Sequence, residues 1–438
     1  MTDKLTIFWF RRDLRLSDNH GLLKALESSE NVLPIFIFDV EILSKLENKA
    51  DKRVDYIFQV LQILNQHLEK TGKSIKIYYG KPLEIFKELV QDNDIEAVFC
   101  NEDYEPSAIK RDLEIEEYLN KNKTDFQSFK DQVHFHKDEI LKSDGTPYTI
   151  YTPYSKQWLL KYPSDNVENY ASEKLLKHFC DVEKQTISLK EIGFEETGYV
   201  FEAPVISSDL IKSYHETRNF PTVKTSEMSV HLRFGTISVR KLAAASAKLN
   251  QTYLKELIWR EFFMQILYHF PKVVHQSFKK KYDHISWLYD DDILKKWQEG
   301  KTGYPIVDAG IRQLNETGFM HNRVRMVCAS FFTKHLLMDW RIGEAYFAEK
   351  LLDYDLSANN GNWQWSAGSG CDSAPYFRIF NPEEQQKKFD PDFKYIKKWV
   401  KEYGTDEYPE PIVDHKFARE RALETYKKGL ESAEAIKN

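Results

Sequence analysis

The sequence predicts an α/β N-terminal domain with a parallel, Rossmann-like sheet, followed by an all-α C-terminal domain. In the first third, short apolar runs alternate with amphipathic segments, whereas from about Ser207 onward nearly every segment has helical periodicity. Strand–helix alternation implies parallel strands joined by right-handed crossovers. At 438 residues the chain is also too long for one ordinary core, so two domains are expected.

The individual elements follow from residue spacing. Strands are expected at 5–10, 32–38, 75–79 and 95–99, where β-branched and aromatic residues run together. Helices are expected over roughly 50–70, 82–91 and 106–121, where apolar residues recur every three or four positions. No GxGxxG follows the first strand, so the dinucleotide-binding fingerprint is missing.

Between about 125 and 200 the periodicity weakens, and two TPY triplets, at 146 and 152, act as turn signals. Such a stretch usually joins domains along the surface. We therefore expect an α/β domain over 1–130, an inter-domain linker over 131–205, and a helical domain over 206–438.

Composition narrows the class of protein. The chain is 42% hydrophobic and 30% charged, which is typical of a globular protein. No apolar run approaches the ~20 residues of a membrane span, and the N-terminus shows no signal-peptide pattern. Its four cysteines, at 100, 180, 328 and 371, form no CxxC pair. We expect a cytoplasmic protein with no membrane partner, and a monomer.

The net charge of −6 argues against a basic protein that coats nucleic acid non-specifically. A local basic face could still neutralise phosphates. A solvated helix face is the plainer interpretation of each basic run taken alone. The candidates are Lys279, Lys280, Lys281, Arg323, Arg325, Lys387, Lys388, Lys397 and Lys398.

Tryptophans give the first functional signal. Seven of the nine lie at or beyond Trp259, and the densest stretch, 353–365, interleaves two of them with Asp and Asn. An indole among polar groups is costly unless its ring stacks or its N–H is used. An aliphatic core would not need these amides and carboxylates, so the pattern predicts a pocket for a large planar ligand.

Three groups of residues are candidates for that pocket. In the first, Glu256, Trp259, Arg260 and Phe263 share one face of a predicted helix. A carboxylate beside an indole could hydrogen-bond a ligand. A surface Glu–Arg pair is the simpler interpretation of this group alone.

The second group is Asn322, Arg323 and Met326, again on one helix face, which suits a polar aromatic ligand with methyl groups. A helix end with basic surface residues is equally compatible. The third is Asp353, Asp355 and Asn359, which could bind the polar edge of a heterocycle. A metal site is the alternative there, but further ligands at suitable spacing are missing, so no metal is expected.

Several longer motifs are recognisable and occur in a fixed order. They are WFRRDLRLSDN at 9–19, YTPYSKQW at 151–158, TSEMSVHLRFGTIS at 225–238, ELIWREF at 256–262, GKTGYPIVDA at 300–309, HNR at 321–323 and NNGNWQW at 359–365. On these motifs the chain resembles the photolyase/cryptochrome family, and most closely its class I cyclobutane pyrimidine dimer photolyases.

The resemblance implies an α/β antenna domain, a long linker, and a helical domain that holds FAD in a folded conformation. It implies that Asn359 faces N5 of the flavin. Glu227 stands where many relatives carry Arg, and Tyr253 where some place Trp. The other residues implied to hold FAD are Tyr214, Thr225, Ser226, Met228, Ser229, Arg260, Arg325, Asp353, Tyr354 and Asp355.

The same resemblance implies a repair pocket that receives a dimer flipped out of UV-damaged DNA. Its residues would be Glu256, Trp259, Asn322, Arg323, Met326 and Trp365, with Gln385 as a further DNA contact. A dimer disrupts stacking and pairing, so extruding it costs less than extruding a normal base. Trp287, Trp340 and Trp363 match the tryptophans that pass electrons to photoexcited flavin.

The expected activity is light-driven repair of cyclobutane pyrimidine dimers by electron transfer from reduced FAD. Glu256 would hydrogen-bond the pyrimidine carbonyl edge, and Met326 would pack on the rings. The alternatives are a cryptochrome photosensor without repair activity, and a (6-4) photolyase, for which a histidine pair would be expected in the pocket. A second antenna chromophore, folate or deazaflavin, is left open, because Tyr104-Glu105 is not followed by the Asn-Glu pair of folate-binding relatives.

Overall fold

The computed structural model describes residues 4–162, 168–182 and 187–435. It groups the chain into two compact units. The α/β unit comprises residues up to 139, 161–207 and 227–257, and the helical unit comprises 140–160, 208–226 and 258 onward. The units therefore interleave along the chain, whereas the boundaries expected at 130 and 205 are sequential. Those boundaries stay a prediction for separately folding domains.

The α/β unit contains one five-stranded parallel sheet. Its strands are β1 (Leu5–Phe10), β2 (Val32–Asp39), β3 (Lys76–Gly80), β4 (Ile95–Asn101) and β5 (Asp125–Phe129), in the order β3-β2-β1-β4-β5. In the central strand Trp9 lies opposite Ile35 on one side and Cys100 on the other. This is the doubly wound arrangement expected from strand–helix alternation, and it confirms the predicted fold class.

The helices account for most of the remaining described residues. They are α1 (His20–Ser28), α2 (Val40–Leu43), α3 (Lys52–Glu69), α4 (Pro82–Asp92), α5 (Pro106–Lys121), α6 (Tyr151–Lys161), α7 (Ser208–Thr217), α8 (Met228–Phe234), α9 (Val239–Leu249), α10 (Gln251–His269), α11 (Asp291–Gln298), α12 (Pro305–Thr317), α13 (Asn322–Ser330), α14 (Trp340–Lys350), α15 (Leu356–Ala367), α16 (Pro382–Phe389), α17 (Lys394–Trp399) and α18 (His415–Ala435).

Shorter turns separate several of these helices. Five are 3-10 turns at Ser172–Lys174, Leu176–His178, Lys190–Ile192, Pro271–Val274 and Lys280–His284, and one is a π-helical turn at Phe331–His335. No helix of the described ranges is long and apolar enough to cross a membrane.

The expected strands and helices of the first third are present, but β5 was missed. Its sequence, DFQSF, alternates exposed and half-buried positions and pairs only with β4. An edge strand needs few apolar residues, because only part of its surface is covered. Hydrophobic patterning therefore gives it a weak signal.

The expectation that 131–205 runs along the surface is wrong for α6. Tyr151, Tyr154 and Trp158 are buried there, and the indole Nε1 of Trp158 donates to Oε2 of the buried Glu261 at 2.6 Å. Pro153 suggested a turn, but it lies in the first turn of the helix, where proline is tolerated.

The core of the helical unit is unusually aromatic. Trp297, Trp340 and Trp363 are all buried in it, at most 2% exposed, among the side chains of α12 to α15. Part of the predicted tryptophan cluster therefore belongs to the hydrophobic core of this unit.

Candidate active site

The first predicted group lies on α10. Trp259 is half-buried, and its ring stacks on that of Tyr151, with centroids 3.5 Å apart and planes 5° from parallel. Phe263, one turn later, lies 5.5 Å from the same indole. Glu256 and Arg260 are half-buried on the same helix. The expected helix is confirmed, and it carries an indole whose ring orientation is fixed by an aromatic neighbour.

The second predicted group opens α13. Asn322 is the exposed first residue of the helix, while Arg323 and Met326 are half-buried. His321 caps the helix, because its Nδ1 accepts from the Arg323 N–H at 3.2 Å. Burial, together with the charges of Arg325 and Arg323, lowers the pKa of His321 to about 4. His321 is therefore neutral near pH 7 and free to accept this bond.

Arg323 has an environment that an ordinary surface arginine lacks. Its guanidinium donates to Oδ1 of Asn219 at 2.7 Å and lies 4.5 Å from the Phe389 ring centroid. Within the described ranges it forms no ion pair. Burial and the positive charges of Arg218 and Arg378 lower its pKa. Three arginine charges thus act on one another here, although the chain is acidic overall.

A buried carboxylate lies between α14 and α15. Oδ2 of Asp353 accepts from Nη2 of Arg325 at 2.9 Å, and Arg325 also donates from Nε to the Met320 carbonyl at 2.7 Å. The other oxygen of Asp353, Oδ1, is buried and has no hydrogen-bond partner among the described residues. Because a buried acceptor without a partner is costly, this atom indicates a missing donor.

Asp355 and Asn359 are positioned by the start of α15. Asp355 caps the helix through the Ala358 N–H at 3.1 Å and also accepts from the Ser357 hydroxyl. The amide nitrogen of Asn359 donates to the carbonyl and to Oε1 of Glu344, at 3.0 and 2.8 Å. Burial raises the pKa of Glu344, and this bond partly opposes the shift. No described residue donates to the amide oxygen of Asn359.

The neighbouring amides of the same motif serve the fold instead. Asn360 and Gln364 each donate to the Val273 carbonyl at 3.0 Å. The side-chain oxygen of Gln364 accepts from the Phe278 N–H at 2.8 Å. These two amides satisfy the backbone of a loop, so only part of the NNGNWQW motif remains for a ligand.

The three tryptophans expected to carry electrons differ in exposure. Trp363 and Trp340 are 2% and 1% exposed, and the indole N–H of each has no acceptor among the described residues. Trp287 is half-buried, and its ring meets that of Tyr426 edge to face at 5.7 Å. Of these three indoles, two are thus enclosed and one reaches solvent.

The remaining predicted residues occupy mixed environments. Tyr214 is half-buried on α7, with the Arg218 guanidinium 5.4 Å from its ring centroid. Oε1 of Gln385, on α16, is buried without a partner in the described part of the chain. Among the others, Tyr253 and Met228 are buried, Thr225, Ser226, Tyr354 and Trp365 are half-buried, and Glu227 and Ser229 are exposed.

The helical unit fits the flavin that the resemblance implies. A flavin and its sugar chain carry N–H and hydroxyl donors. Two acceptors have no donor among the described residues and could accept from them: Oδ1 of Asp353 and the amide oxygen of Asn359. Arg325 orients the Asp353 carboxylate through an ion pair of 2.9 Å. These are the kinds of precisely placed polar groups that orient a cofactor in a largely apolar site.

Sequence reasoning missed six residues that the structure places with the predicted ones. Tyr151 stacks on Trp259 and Glu344 bonds Asn359. Asn219 and Phe389 contact Arg323, and the charges of Arg218 and Arg378 lower its pKa. Arg218 could have been found, because it lies one helical turn after Tyr214. The others come from distant parts of the chain, and spacing alone gives no signal for them.

Comparison with known proteins gives consistent matches. Residues 6–171 match the DNA photolyase family, and residues 253–405 match the FAD binding domain of DNA photolyase. The chain is 35% identical to a deoxyribodipyrimidine photo-lyase of Synechococcus, over 96% of both chains.

Two solved structures extend these matches to the fold. A class III photolyase of Agrobacterium tumefaciens superposes with a TM-score of 0.87 at 33% identity, covering 98% of both chains. A photolyase of Sulfolobus tokodaii, solved with two FAD molecules, gives a TM-score of 0.84 at 33% identity, covering 97% of this chain and all of the other.

Proposed function

Because the chain belongs to the photolyase/cryptochrome family, we propose that it repairs DNA by splitting cyclobutane pyrimidine dimers in blue light. Membership supports light-dependent DNA repair as the general activity, and the specific lesion and electron path are the proposal. The observation that carries it is Arg323, whose guanidinium is held by an amide and an aromatic ring while the charges of Arg218 and Arg378 lower its pKa.

An arginine so placed is suited to a phosphate. Asn219 and Phe389 fix the guanidinium without neutralising it, whereas a carboxylate partner would compete with the DNA backbone. Two further arginines raise the local potential, and binding of phosphate would relieve their mutual repulsion. In this proposal the cluster supplies affinity and register on the duplex, and it carries no base specificity.

The pocket beside this cluster would receive the extruded dimer. Trp259 would offer a rigid aromatic surface, Met326 would follow the irregular shape of the linked rings, and Asn322 and Trp365 would contact the polar and apolar edges. Glu256 would hydrogen-bond the polar edge of the pyrimidine and stabilise charge that develops there during splitting. Extrusion is cheapest where stacking is already broken, which favours the damaged site.

FAD, bound in its reduced form, would supply the electron that opens the dimer after light is absorbed. Asp353 would accept from a donor of the cofactor, Arg325 would hold that carboxylate in place, and Asn359 would present its amide oxygen to the flavin. Tyr214 and the loop 225–229 would hold the phosphates. Glu344 would orient Asn359, because it accepts both hydrogen bonds that the amide nitrogen donates within the described structure.

Trp363, Trp340 and Trp287 would form the route by which electrons reach an oxidised cofactor. The N–H groups of Trp363 and Trp340 have no described acceptor, so an oxidised indole there keeps its proton. A charge that stays mobile can pass on to Trp287, which is half-buried and can be reduced again by a solute.

An antenna chromophore, folate or deazaflavin, would be held by the α/β unit. Glu105 is already paired with Arg12 and Arg233, at 2.8 and 2.9 Å, and α5 begins at Pro106. The absorption spectrum of the purified protein, before and after release of its chromophores, would identify any second pigment.

The proposal is tested with duplexes that carry one defined lesion. The protein, with its FAD reduced chemically, is mixed with a duplex containing a cyclobutane dimer or a (6-4) product, and each mixture is divided between blue light and darkness. We expect loss of the cyclobutane dimer only in light. Repair of the (6-4) product alone would reassign the lesion, and photoreduction of FAD without repair of either substrate would favour a cryptochrome photosensor.

A further inference from the structure

We propose that Tyr151 is a positioning residue that fixes the orientation of Trp259 and thereby sets the affinity for an extruded pyrimidine dimer. This inference rests on the proposed function. It assigns a role to α6, which sequence patterning treated as part of a surface linker.

The geometry of the pair is that of a tight stack. The two rings are 3.5 Å apart and only 5° from parallel, so no base can enter between them. Phe262 meets both rings edge to face, at 5.9 Å from Tyr151 and 5.7 Å from Trp259. Tyr151 is 9% exposed, whereas Trp259 is half-buried. Tyr151 therefore backs the indole on one side and leaves another part of it open.

Tyr151 is itself fixed from a second segment. Its backbone N–H, at the first residue of α6, donates to Oδ2 of Asp372 at 2.9 Å. Asp372 lies in the loop after α15, next to Ser373, whose hydroxyl accepts from the Lys279 ammonium at 2.8 Å. The same loop continues to Arg378, whose charge lowers the pKa of Arg323. One loop thus carries both a cation of the arginine cluster and the carboxylate that holds Tyr151.

The stack matters for binding because an indole that turns freely must be ordered when a ligand arrives. Tyr151 removes that cost before binding, which is the usual source of gain from preorganisation. Asp372 would extend the effect by tying Tyr151 to the loop that Arg378 shares. Phosphate binding and the orientation of Trp259 would then be linked through one short segment.

The test compares affinity for a duplex with one cyclobutane dimer and for the same duplex intact. We expect Y151L to weaken binding of the damaged duplex by about two- to tenfold, the range that ordering one side chain on binding costs. Binding of the intact duplex and bound FAD should change little. Y151F keeps the stack and should bind like the wild type.

Two further variants complete the experiment. Y148L is the matched control, because the only ring contact of Tyr148 in the described structure is with Tyr154, at 6.4 Å; it should bind like the wild type. D372A should weaken damaged-duplex binding less than Y151L, and the double variant Y151L/D372A should be no weaker than Y151L alone, since Asp372 acts through Tyr151. If Y151L fails to retain FAD, the affinities of D372A and Y151F for the damaged duplex are compared with that of the wild type instead.

The outcomes separate this inference from the proposed function. W259A serves as the reference. If W259A weakens damaged-duplex binding while Y151L and D372A do not, the role of Tyr151 is refuted. The assignment of Trp259 to the dimer-binding pocket is then retained. If W259A also binds like the wild type, the pocket itself is wrong. A loss of affinity in Y151L that Y151F shares would refute the stack as its cause.

Discussion

Gly343→Ala is the substitution whose effect the structure determines most directly. Gly343 lies in the interior of α14, where alanine normally stabilises a helix by about 1 kcal/mol relative to glycine. Helix propensity alone therefore predicts a more stable protein. The packing of Trp363 predicts the opposite.

A Cβ atom at Gly343 would fall inside the contact distance of three ring atoms of Trp363, Cη2, Cζ3 and Cζ2. The indole cannot withdraw easily, because it is 2% exposed and packs at 4.9 Å from Phe347 and 6.5 Å from Trp297. Overpacking of this kind costs about 1–3 kcal/mol. Since this range equals or exceeds the gain in propensity, we expect a net loss of up to about 2 kcal/mol of unfolding free energy.

The functional consequence is specific to the displaced ring. Trp363 is the proposed first donor to the flavin, so its displacement should slow photoreduction of oxidised FAD. Gly310→Ala is the matched control: its Cβ would collide with Val324 and approach Sγ of Cys328 at 2.8 Å, within the same unit, and it meets no tryptophan. Denaturant unfolding should show both variants destabilised, whereas spectroscopy under blue light should show slower photoreduction only in Gly343→Ala.

Two results would refute this reasoning. A Gly343→Ala protein that is more stable than the wild type would mean that the helix shifts and relieves the collision at little cost. Equal photoreduction rates in both variants, with Gly343→Ala destabilised, would show that Trp363 is not on the electron route.

Four further predictions address the site and the fold. Glu256→Ala should keep FAD and bind damaged DNA but split dimers with a clearly lower quantum yield at saturating substrate; an unchanged yield would remove its assigned role. Trp287→Phe should abolish sustained photoreduction yet leave repair intact when FAD is reduced chemically, and normal photoreduction would show another entry route. Arg323→Ala should weaken damaged-duplex binding more than Lys76→Ala, which removes the same charge, and should lower the slope of log affinity against log salt by about 1; equal effects would contradict the arginine cluster. Acid should destabilise the fold, because burial lowers the pKa of five histidines below the unfolded value of about 6.5. The pKa is about 4 for His134, His231 and His321 and about 3 for His335, and that of His20 is also lowered. Only the unfolded state then takes up these protons as the pH falls below about 6.5, so denaturant unfolding should show a free energy clearly lower at pH 5 than at pH 7; a flat profile would contradict their burial as neutral groups.

Much of the fold could be predicted because burial leaves a regular pattern. β1 and β2 are continuous apolar runs, as expected for strands covered on both faces. The pattern failed for β5, where the strand is at an edge, and for α6, where a proline in the first turn suggested a break. In both cases partners distant in sequence make the element stable, and local spacing does not contain them.

For the candidate site, residue types could be predicted from the sequence, but their pairings could not. The sequence identified Arg323 as a candidate cation, but its partners Asn219 and Phe389 come from the turn after α7 and from α16. It could not show that the charges of Arg218 and Arg378 act on the same guanidinium. Which arginine has its charge neutralised by a carboxylate, and which does not, depends on these tertiary neighbours.

In helix α15, residue spacing alone tells which side chains share a face, once the helix is known. Asn360 and Gln364 are four residues apart, so they share one face, and both bond the backbone of the loop that includes Val273. Asn359 and Trp363 are also four apart, on the adjacent face, and they contact α14 through Glu344 and Gly343. The motif NNGNWQW is therefore two interleaved patterns, one that holds a loop and one that meets the proposed flavin. These amides look alike in the sequence, but the four-residue period separates Asn360 and Gln364 from Asn359, and of the buried amides only Asn359 keeps an oxygen without a described donor.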